Sequence, residues 1–555
     1  MIKRIISLAL CMTMLICCLS ACGSSGENKQ LVFPIDSEPE YLDPQIVSDI
    51  GAKNIIANCF EGLVSLDENG QVIPAAAKDW NVSSDGLVYT FNLRDDLQWK
   101  VTRTAGNNTI GENYATEFNT ALTAADFVFG IKRALRPETR SPYAGNLMSI
   151  KNAVKVNSGK LSDNQLGVSA ADERTVVFTL ERPDPDFLLA LTTPACMPCS
   201  EKFFNLTKGR YGLSTAYLIY NGPFYISNWA EGTAITARKN DKYHAVLSED
   251  GKTWVSQDTA KPSSIYYSFN NEQSSRGRKV KDGTYDVAPL TSEQANEIAK
   301  NKKYVVKQFN NSMLSLVFNC ADEVTKNINI RRSIAQSFKM DTALSALNQK
   351  AAVGIVPSAM LFADKSYRQT AKAFAANTVS EKQAAKLLRT GLDELDKRDV
   401  QLTVLCEQEN ENTVRSLMQQ WQSIFGVIFG ISVEVVDSQT LQQRLKNGEY
   451  QIAMAEVKYD ESSAYNCVAR YTSNSRDNFV SLRKKQYDNI VKKYVFAKDE
   501  GAKRKVIEEA ESYLISCSVI VPICEKSSYY GITKKVTDIH FSATGDVVYF
   551  KDGKR

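Results

Sequence analysis

An α/β chain arranged as two lobes is the fold this sequence predicts, on three observations. Cleavage before Cys22 would remove 21 of the 555 residues and leave 534, more than one hydrophobic core usually organises. From Ser380 onward, segments of helical and strand period alternate, the pattern of sheets covered on their faces. The stretches before and after are strand-rich, with turn dipeptides between apolar runs. No short internal repeat relates these parts.

The N-terminus places Lys3 and Arg4 before an apolar run, residues 5–19, that leads into Ser20-Ala21-Cys22 and then Gly23-Ser24-Ser25-Gly26. A charged start, an apolar core and small residues before a cysteine predict a lipoprotein signal over 1–21, acylation at Cys22 and a flexible tether over 22–30. The run is short for a membrane-spanning helix of ~20 residues, and no second hydrophobic span follows. Loss of Lys3 and Arg4 lowers the formal charge from +4 to +2, far from the strongly basic footprint of a nucleic-acid binder.

Of twelve cysteines, Cys11, Cys17 and Cys18 leave with the signal and Cys22 carries lipid, so eight remain. Cys196-Met197-Pro198-Cys199 is the close pair. Redox motif, half of a metal site, local disulfide and packed thiols all stay open, and a structural loop is the preferred reading because no second pair completes a zinc site.

Asn69-Gly70 and Asp85-Gly86 suit tight turns and predict an early hairpin region. A polar insertion, residues 102–119, reads as a solvated loop. Thr123 with Asp126 predicts a capped helix start, with Phe127, Ile131 and Leu135 on one face and Pro137 as its stop. Asn221-Gly222-Pro223-Phe224 opens a second sheet region. Residues 314–319 read as a buried strand and Ile330 begins a helix. Ser380 with Gln383 caps the next helix, followed by a strand over 402–406, a helix bearing Val414, Leu417, Trp421 and Phe425, and a strand over 431–436. The tail, 519–549, is strand-rich again.

The series Leu42-Asp43-Pro44, Phe60-Glu61-Gly62-Leu63, Asp67, Pro74, Trp80, Tyr89-Thr90-Phe91 and Leu93-Arg94 resembles the extracytoplasmic solute-binding proteins of peptide ABC importers, the oligopeptide- and dipeptide-binding family. The resemblance implies a periplasmic-binding-protein-like α/β fold of two lobes joined by a two-strand hinge, the first lobe carrying an extra subdomain. It implies lobe I over 31–55, the extra subdomain over 56–194, more of lobe I over 195–308, lobe II over 309–518 and a return to lobe I over 519–555. It also implies a peptide receptor, monomeric and without cofactor, that delivers cargo to membrane permease and ATPase subunits from the outer face of the cell membrane, or the periplasmic side if two membranes are present.

Family members carry an aspartate, between a strand and a Ser-Asn-Ser resembling Ser473-Asn474-Ser475, that receives the peptide α-ammonium. Aligned without a gap, Asp460 takes that place here, with Val457, Lys458 and Tyr459 on the approach. The surroundings depart from the family pattern, and a slipped frame would put Lys458 there and abolish amine capture. Tyr143 matches a cleft-facing tyrosine, and Ser48, Asp49 and Ile50 match a strand edge that pairs with the peptide main chain. Asn221 is expected to line the cleft from the hinge side. Lys458 and Arg278 are candidates for a ligand carboxylate.

A hydrolase is the rival from another class, but the chain holds two histidines, His244 and His540, and no Gly-x-Ser-x-Gly or His-Glu-x-x-His. The same fold carrying nickel, haem or sugar is the other rival, since fold does not settle cargo. Scarce histidine weighs against metal, and few tryptophans near the expected cleft weigh against sugar.

Overall fold

The computed structural model describes residues 30–555, except 68–69, 112–117, 185, 248–253, 257–259, 270–271, 338, 348–349, 364, 375–379, 460–462 and 476. Cys22 and Asp460 both lie outside the described residues, as does Asn69 of the first turn dipeptide.

The later lobe is organised on a six-stranded sheet in the order Val287–Leu290, Ile520–Thr533, Tyr304–Phe318, Ile452–Lys458, Val400–Glu407, Phe429–Val436. Along Tyr304–Phe318, Leu314, Leu316 and Phe318 enter one hydrophobic cluster while Met313 and Val317 enter another, so the sheet is covered on both faces. A strand buried on both faces is apolar at successive positions, which is why residues 313–318 read as an apolar run broken only by Ser315. Helix Glu381–Glu394 starts at the Ser380–Gln383 capping box, and helix Glu411–Phe425 buries Val414, Leu417, Trp421 and Phe425 on one face. The parallel pairing of Val400–Glu407 with Phe429–Val436 follows from the helix that connects them.

The chain passes between the lobes along two long antiparallel strands, Tyr304–Phe318 and Ile520–Thr533. Their register shifts between Phe309 and Ser312, where an irregularity bends the pair. Asn310 and Asn311 stand there. Ser527 Oγ donates to Asn310 Oδ1 at 2.6 Å, and Asn311 Nδ2 donates to Ser528 Oγ at 3.0 Å and to the Thr544 carbonyl at 2.7 Å.

The first lobe holds a four-stranded sheet in the order Leu31–Pro34, Ser264–Ser268, Ala234–Lys239, Phe224–Ala230. A second, antiparallel sheet runs Ala77–Val82, Val88–Leu93, Thr175–Thr179, Val168–Asp172, with helix Ala124–Leu135 beside it. Gly86, at φ +69°, takes the left-handed conformation in the turn joining the first two of these strands. The main-chain N–H of Thr123 donates to the Asp126 carboxylate at 2.9 Å, and Phe127, Ile131 and Leu135 are buried. One hydrophobic cluster runs through both sheets and includes Tyr530, Ile532, Val548 and Phe550 from the end of the chain.

Asp43 of the Leu42-Asp43-Pro44 motif forms a buried ion pair with Arg133, whose guanidinium also donates to Gln45 Oε1 at 2.6 Å and lies 4.3 Å from the Phe204 ring centroid. The motif thus pins the start of the chain to a helix 90 residues later. The insertion at 102–119, expected to be a solvated loop, instead contains the turns Arg103–Ala105 and Gly106–Ile110, and buries Ala105 and Phe118. Its few apolar side chains find a neighbouring core that periodicity alone does not reveal. All eight described cysteines are free; Cys196 and Cys199 are packed in the core, where burial raises both thiols to about 12.

Candidate functional site

A cavity of about 600 Å³ lies where the lobes meet. Helix Ile50–Cys59 supplies Lys53, Ile56 and Ala57, and the following turn supplies Glu61 and Gly62. The extra sheet region adds Arg182, Asp184 and Asp186, the chain end adds His540, Tyr549 and Lys551, and the later lobe adds Ser463, Tyr465, Asn466, Tyr494 and Lys503.

On the first-lobe wall, Glu61 is held at both its main chain and its carboxylate. Asn221 brackets its backbone, Nδ2 donating to the Glu61 carbonyl at 2.8 Å while Oδ1 accepts from the Glu61 N–H at 3.1 Å. The Tyr243 hydroxyl donates to Oε1 at 2.5 Å, and His244 Nε2 lies 2.8 Å from Oε2. Tyr243 and His244 stack at 4.0 Å between centroids, with His244 at the unusual φ of 45°. Beside them Arg94 grips Asp96 with two bonds, at 3.0 and 2.8 Å. Burial opposes the charge of Asp96, but the Arg94 hydrogen bonds and charge outweigh it and hold the carboxyl below its usual range.

Across the gap the lobes touch through hydrogen bonds. The Tyr494 hydroxyl donates to Asp186 Oδ2 at 2.7 Å, and Asn466 Nδ2 donates to Asn146 Oδ1 at 3.3 Å. Tyr465 stacks on Tyr494 with centroids 3.9 Å apart and planes 17° from parallel. Burial raises the pKa of both phenols, reinforced at Tyr494 by the Asp186 charge, so both stay neutral donors. Ser463, which caps helix Ala464–Ala469, brings the start of that helix to the wall.

The positions expected from sequence separate into three groups. Tyr143 lies in the cavity wall, buried, with Lys53 Nζ 5.7 Å from its ring centroid. Ser48, Asp49 and Ile50 do not form a strand edge and do not line the cavity. Asp49 instead caps helix Ile50–Cys59, accepting from the Ala52 N–H at 2.8 Å, and a short acidic side chain before a helical segment favours that local bond. Asn221 supports the wall through Glu61 rather than lining it.

Val457 and Tyr459 belong to the later lobe's core, because that sheet is covered on both faces. The Tyr459 hydroxyl sits 3.3 Å from that of Tyr471. Lys458 ends its strand exposed, its carbonyl accepting from Arg470 Nη1 at 2.9 Å, and Arg278 is exposed on helix Arg276–Lys281, away from the cavity wall. Sequence reasoning missed Arg182, Tyr465, Tyr494 and Lys503. One signal was available: helix Glu500–Ser516 buries Lys503, Val506, Ile507, Ala510, Glu511 and Leu514, so two charges occupy core positions of its period.

A cavity walled by two lobes, with aromatic and apolar surface and charges of both signs, can enclose an amphipathic solute. Among the described residues no group of three or more His, Cys, Asp or Glu could hold a metal ion, and no helix is long and apolar enough to cross a membrane.

Comparison with known proteins adds independent findings. The model of bacterial extracellular solute-binding proteins, family 5 (middle region), matches residues 71–479. The "Probable deoxycholate-binding periplasmic protein" of Escherichia coli is 26% identical over 499 residues, 88% of this chain and 86% of its own length. A dipeptide-binding protein of Lactococcus lactis is 26% identical over 550 residues, 95% of this chain and 94% of its own. The crystal structure of the substrate-binding domain of an oligopeptide ABC transporter from Bacillus anthracis superposes with a TM-score of 0.75 at 25% identity, covering 95% of this chain and 99% of that one.

Proposed function

Because the chain belongs to the bacterial extracellular solute-binding proteins of family 5, we propose that it is the receptor of an ABC importer, that its cargo is oligopeptide, and that capture works by closing two lobes. The observation that carries this reading is the cavity at the lobe junction, bordered by the Tyr494–Asp186 and Asn466–Asn146 hydrogen bonds. Those bonds need the lobes together. A ligand that touches both walls therefore favours the closed form by its differential affinity for it, and the bent two-strand crossing supplies a pivot. Similarity to relatives named for dipeptides and oligopeptides supports the cargo class.

In this reading Asp460, three residues before Ser463 of the cavity wall, receives the peptide's α-ammonium. A buried ammonium needs a carboxylate, since an uncompensated charge costs several kcal/mol. Acyl groups on Cys22 hold the receptor at the outer face of the membrane, where it meets permease and ATPase subunits as a monomer. It performs no chemistry on its cargo.

Calorimetric titration with a peptide ladder tests the proposal on the wild type and on Asp460→Ala. Loss of affinity in the variant is expected. Unchanged affinity removes Asp460 from the site, and silence of the wild type toward every peptide removes the cargo class. For the anchor, a palmitate analogue should label the wild type in cells and fail to label Cys22→Ser.

One observation favours a second reading. The relative named for deoxycholate aligns along most of the chain, and Ile56, Val64, Met148, Leu189 and Met197 give the cavity apolar wall. A steroid carboxylate would suit such a surface. Saturable deoxycholate binding that peptides cannot displace would select it.

A further inference from the structure

The bend between the lobes is fastened by side chains that cross it. Phe309 pairs with Ser528 and Ser312 with Lys526, so Asn310 and Asn311 stand together opposite Ser527, two residues against one as in a β-bulge. Asn310, the nearer of the two to the first lobe along the chain, is held by the later lobe: its Nδ2 donates to Ser358 Oγ at 3.2 Å and its carbonyl accepts from the Ala359 N–H at 3.0 Å. That segment is fixed within the later lobe, since Glu511 accepts from the N–H groups of Ile355 and Val356 at 2.8 and 3.0 Å, and Glu525 accepts from that of Ser358. Asn311, nearer the later lobe and 3% exposed, is held by the first: its Nδ2 donates to the Thr544 carbonyl at 2.7 Å. The turn carrying Thr544 is tied to helix Ile50–Cys59, where Asn54 donates to the Asp546 carbonyl at 2.7 Å and accepts from the Val548 N–H at 2.8 Å. Gly545, at φ +76°, lies flush against the Phe309 ring, with no room between them for a Cβ.

We propose that these crossed bonds are a catch that favours the closed lobe angle before any ligand arrives, with Asn310 and Asn311 as its positioning residues. The proposal rests on the capture reading above and names what sets the resting angle. If the lobes turned at the bond before Asn310, both asparagines would travel with the later lobe and the bond to Thr544 would break. Turning after Asn311 would leave both with the first lobe and break the bonds to Ser358 and Ala359. Turning between them would break both sets. Opening at the bulge therefore costs at least one of these hydrogen bonds, and all of them are made at the angle where Tyr494 meets Asp186. The turn that holds Asn311 also presents Ser542, Thr544 and Val547 to the cavity, so a ligand seated on that wall bears on the same fastening. A receptor already biased toward closure takes less of the closing free energy from its ligand.

Small-angle X-ray scattering of the unliganded protein tests the catch on the wild type, Asn310→Ala, Asn311→Ala and Asn319→Ala. Asn319 is the control, a buried asparagine of the later lobe whose Nδ2 donates to the Gly448 and Tyr450 carbonyls at 2.9 and 3.0 Å, away from the bend. Each bend variant should raise the ratio of open to closed protein about fivefold, the net worth of one hydrogen bond, read as a larger radius of gyration. Asn319→Ala should lower Tm and leave the radius at the wild-type value. Calorimetry with trialanine should show affinity falling in the bend variants by up to about the same factor, and unchanged in Asn319→Ala.

A radius equal to the wild type's in either bend variant overturns the catch, whatever happens to Tm. So does a radius that grows equally in Asn319→Ala, which traces the change to general loosening. Failure of the wild type to bind peptides counts against the cargo class and not against the catch, which the scattering decides by itself.

Discussion

Two charges on one helix have opposite surroundings. Glu511, fully buried on Glu500–Ser516, accepts from the Ile355 N–H at 2.8 Å, the Val356 N–H at 3.0 Å and the Tyr367 hydroxyl at 2.9 Å, and pairs with Arg368. Lys503, eight positions earlier on the same buried face, has no such partner among the described residues. Donors from two other segments, 355–356 and 367–368, converge on Glu511, whereas Lys503 lines a cavity. A buried charge that the fold itself satisfies is architecture; one beside a cavity still carries its burial penalty, which pulls the pKa of Lys503 down.

The largest way to break this comparison is Glu511→Gln. It leaves Arg368 facing a neutral amide, and denaturant unfolding should show a loss of about 3–5 kcal/mol. A loss below 1 kcal/mol would mean that the four contacts do not act as a unit.

Asp126 sharpens the contrast as an intermediate case, with burial raising its carboxyl to about 6 while the Thr123 N–H partly offsets that. Between the unfolded value near 4 and the folded value, the native state keeps a proton that the unfolded chain has released. Stability from this group is therefore full below about pH 4 and lost as pH rises through about 6, by about 3 kcal/mol in all, most of it between pH 4.5 and 7. Denaturation curves at pH 4.5 and 7 should show that fall in the wild type relative to Asp126→Asn, in which this site does not titrate.

Tyr494→Phe removes the hydroxyl that bridges to Asp186. Calorimetry should show ligand affinity reduced about fivefold, the net worth of about 1 kcal/mol for one hydrogen bond, with little change in the unliganded Tm. Lys503→Met is the smallest expected effect. Removing an unpaired buried ammonium should leave unliganded stability within about 1 kcal/mol of wild type, on the stabilised side. A clear fall in Tm would show that Lys503 is held by the fold after all.

The parts of the molecule legible in sequence are those governed by near neighbours. The Thr123–Asp126 and Ser380–Gln383 caps and the helix Glu411–Phe425 stand where spacing put them, since capping bonds span three residues and helical faces repeat every turn. The motifs that carried the family resemblance were equally visible, but their residues act mostly on the architecture: Asp43 binds Arg133, and Phe60 and Leu63 are buried. Glu61, Asp67 and Arg94 among them reach the cavity with charged side chains, Glu61 already bonded to Tyr243 and His244 and Arg94 to Asp96.

The site was legible only in part. Tyr143 stands in the wall, while Asp49 went to a helix cap and Val457 and Tyr459 to the core. Nothing in the local text distinguishes a tyrosine facing a cavity from one facing a second layer of helices. Lys503 and Glu511 were both readable as charges on an apolar face; which one has partners depends on segments more than a hundred residues away.

Length, periodicity and capping residues by themselves determined an α/β chain too long for one core, because those signals act over a few bonds or one turn of helix, and the binding-protein reading came from the family resemblance that the motifs carry. The tertiary structure alone decided which side chains share the cavity, since Asp186 and Tyr494 meet only when two cores have formed and two crossing strands have set one against the other.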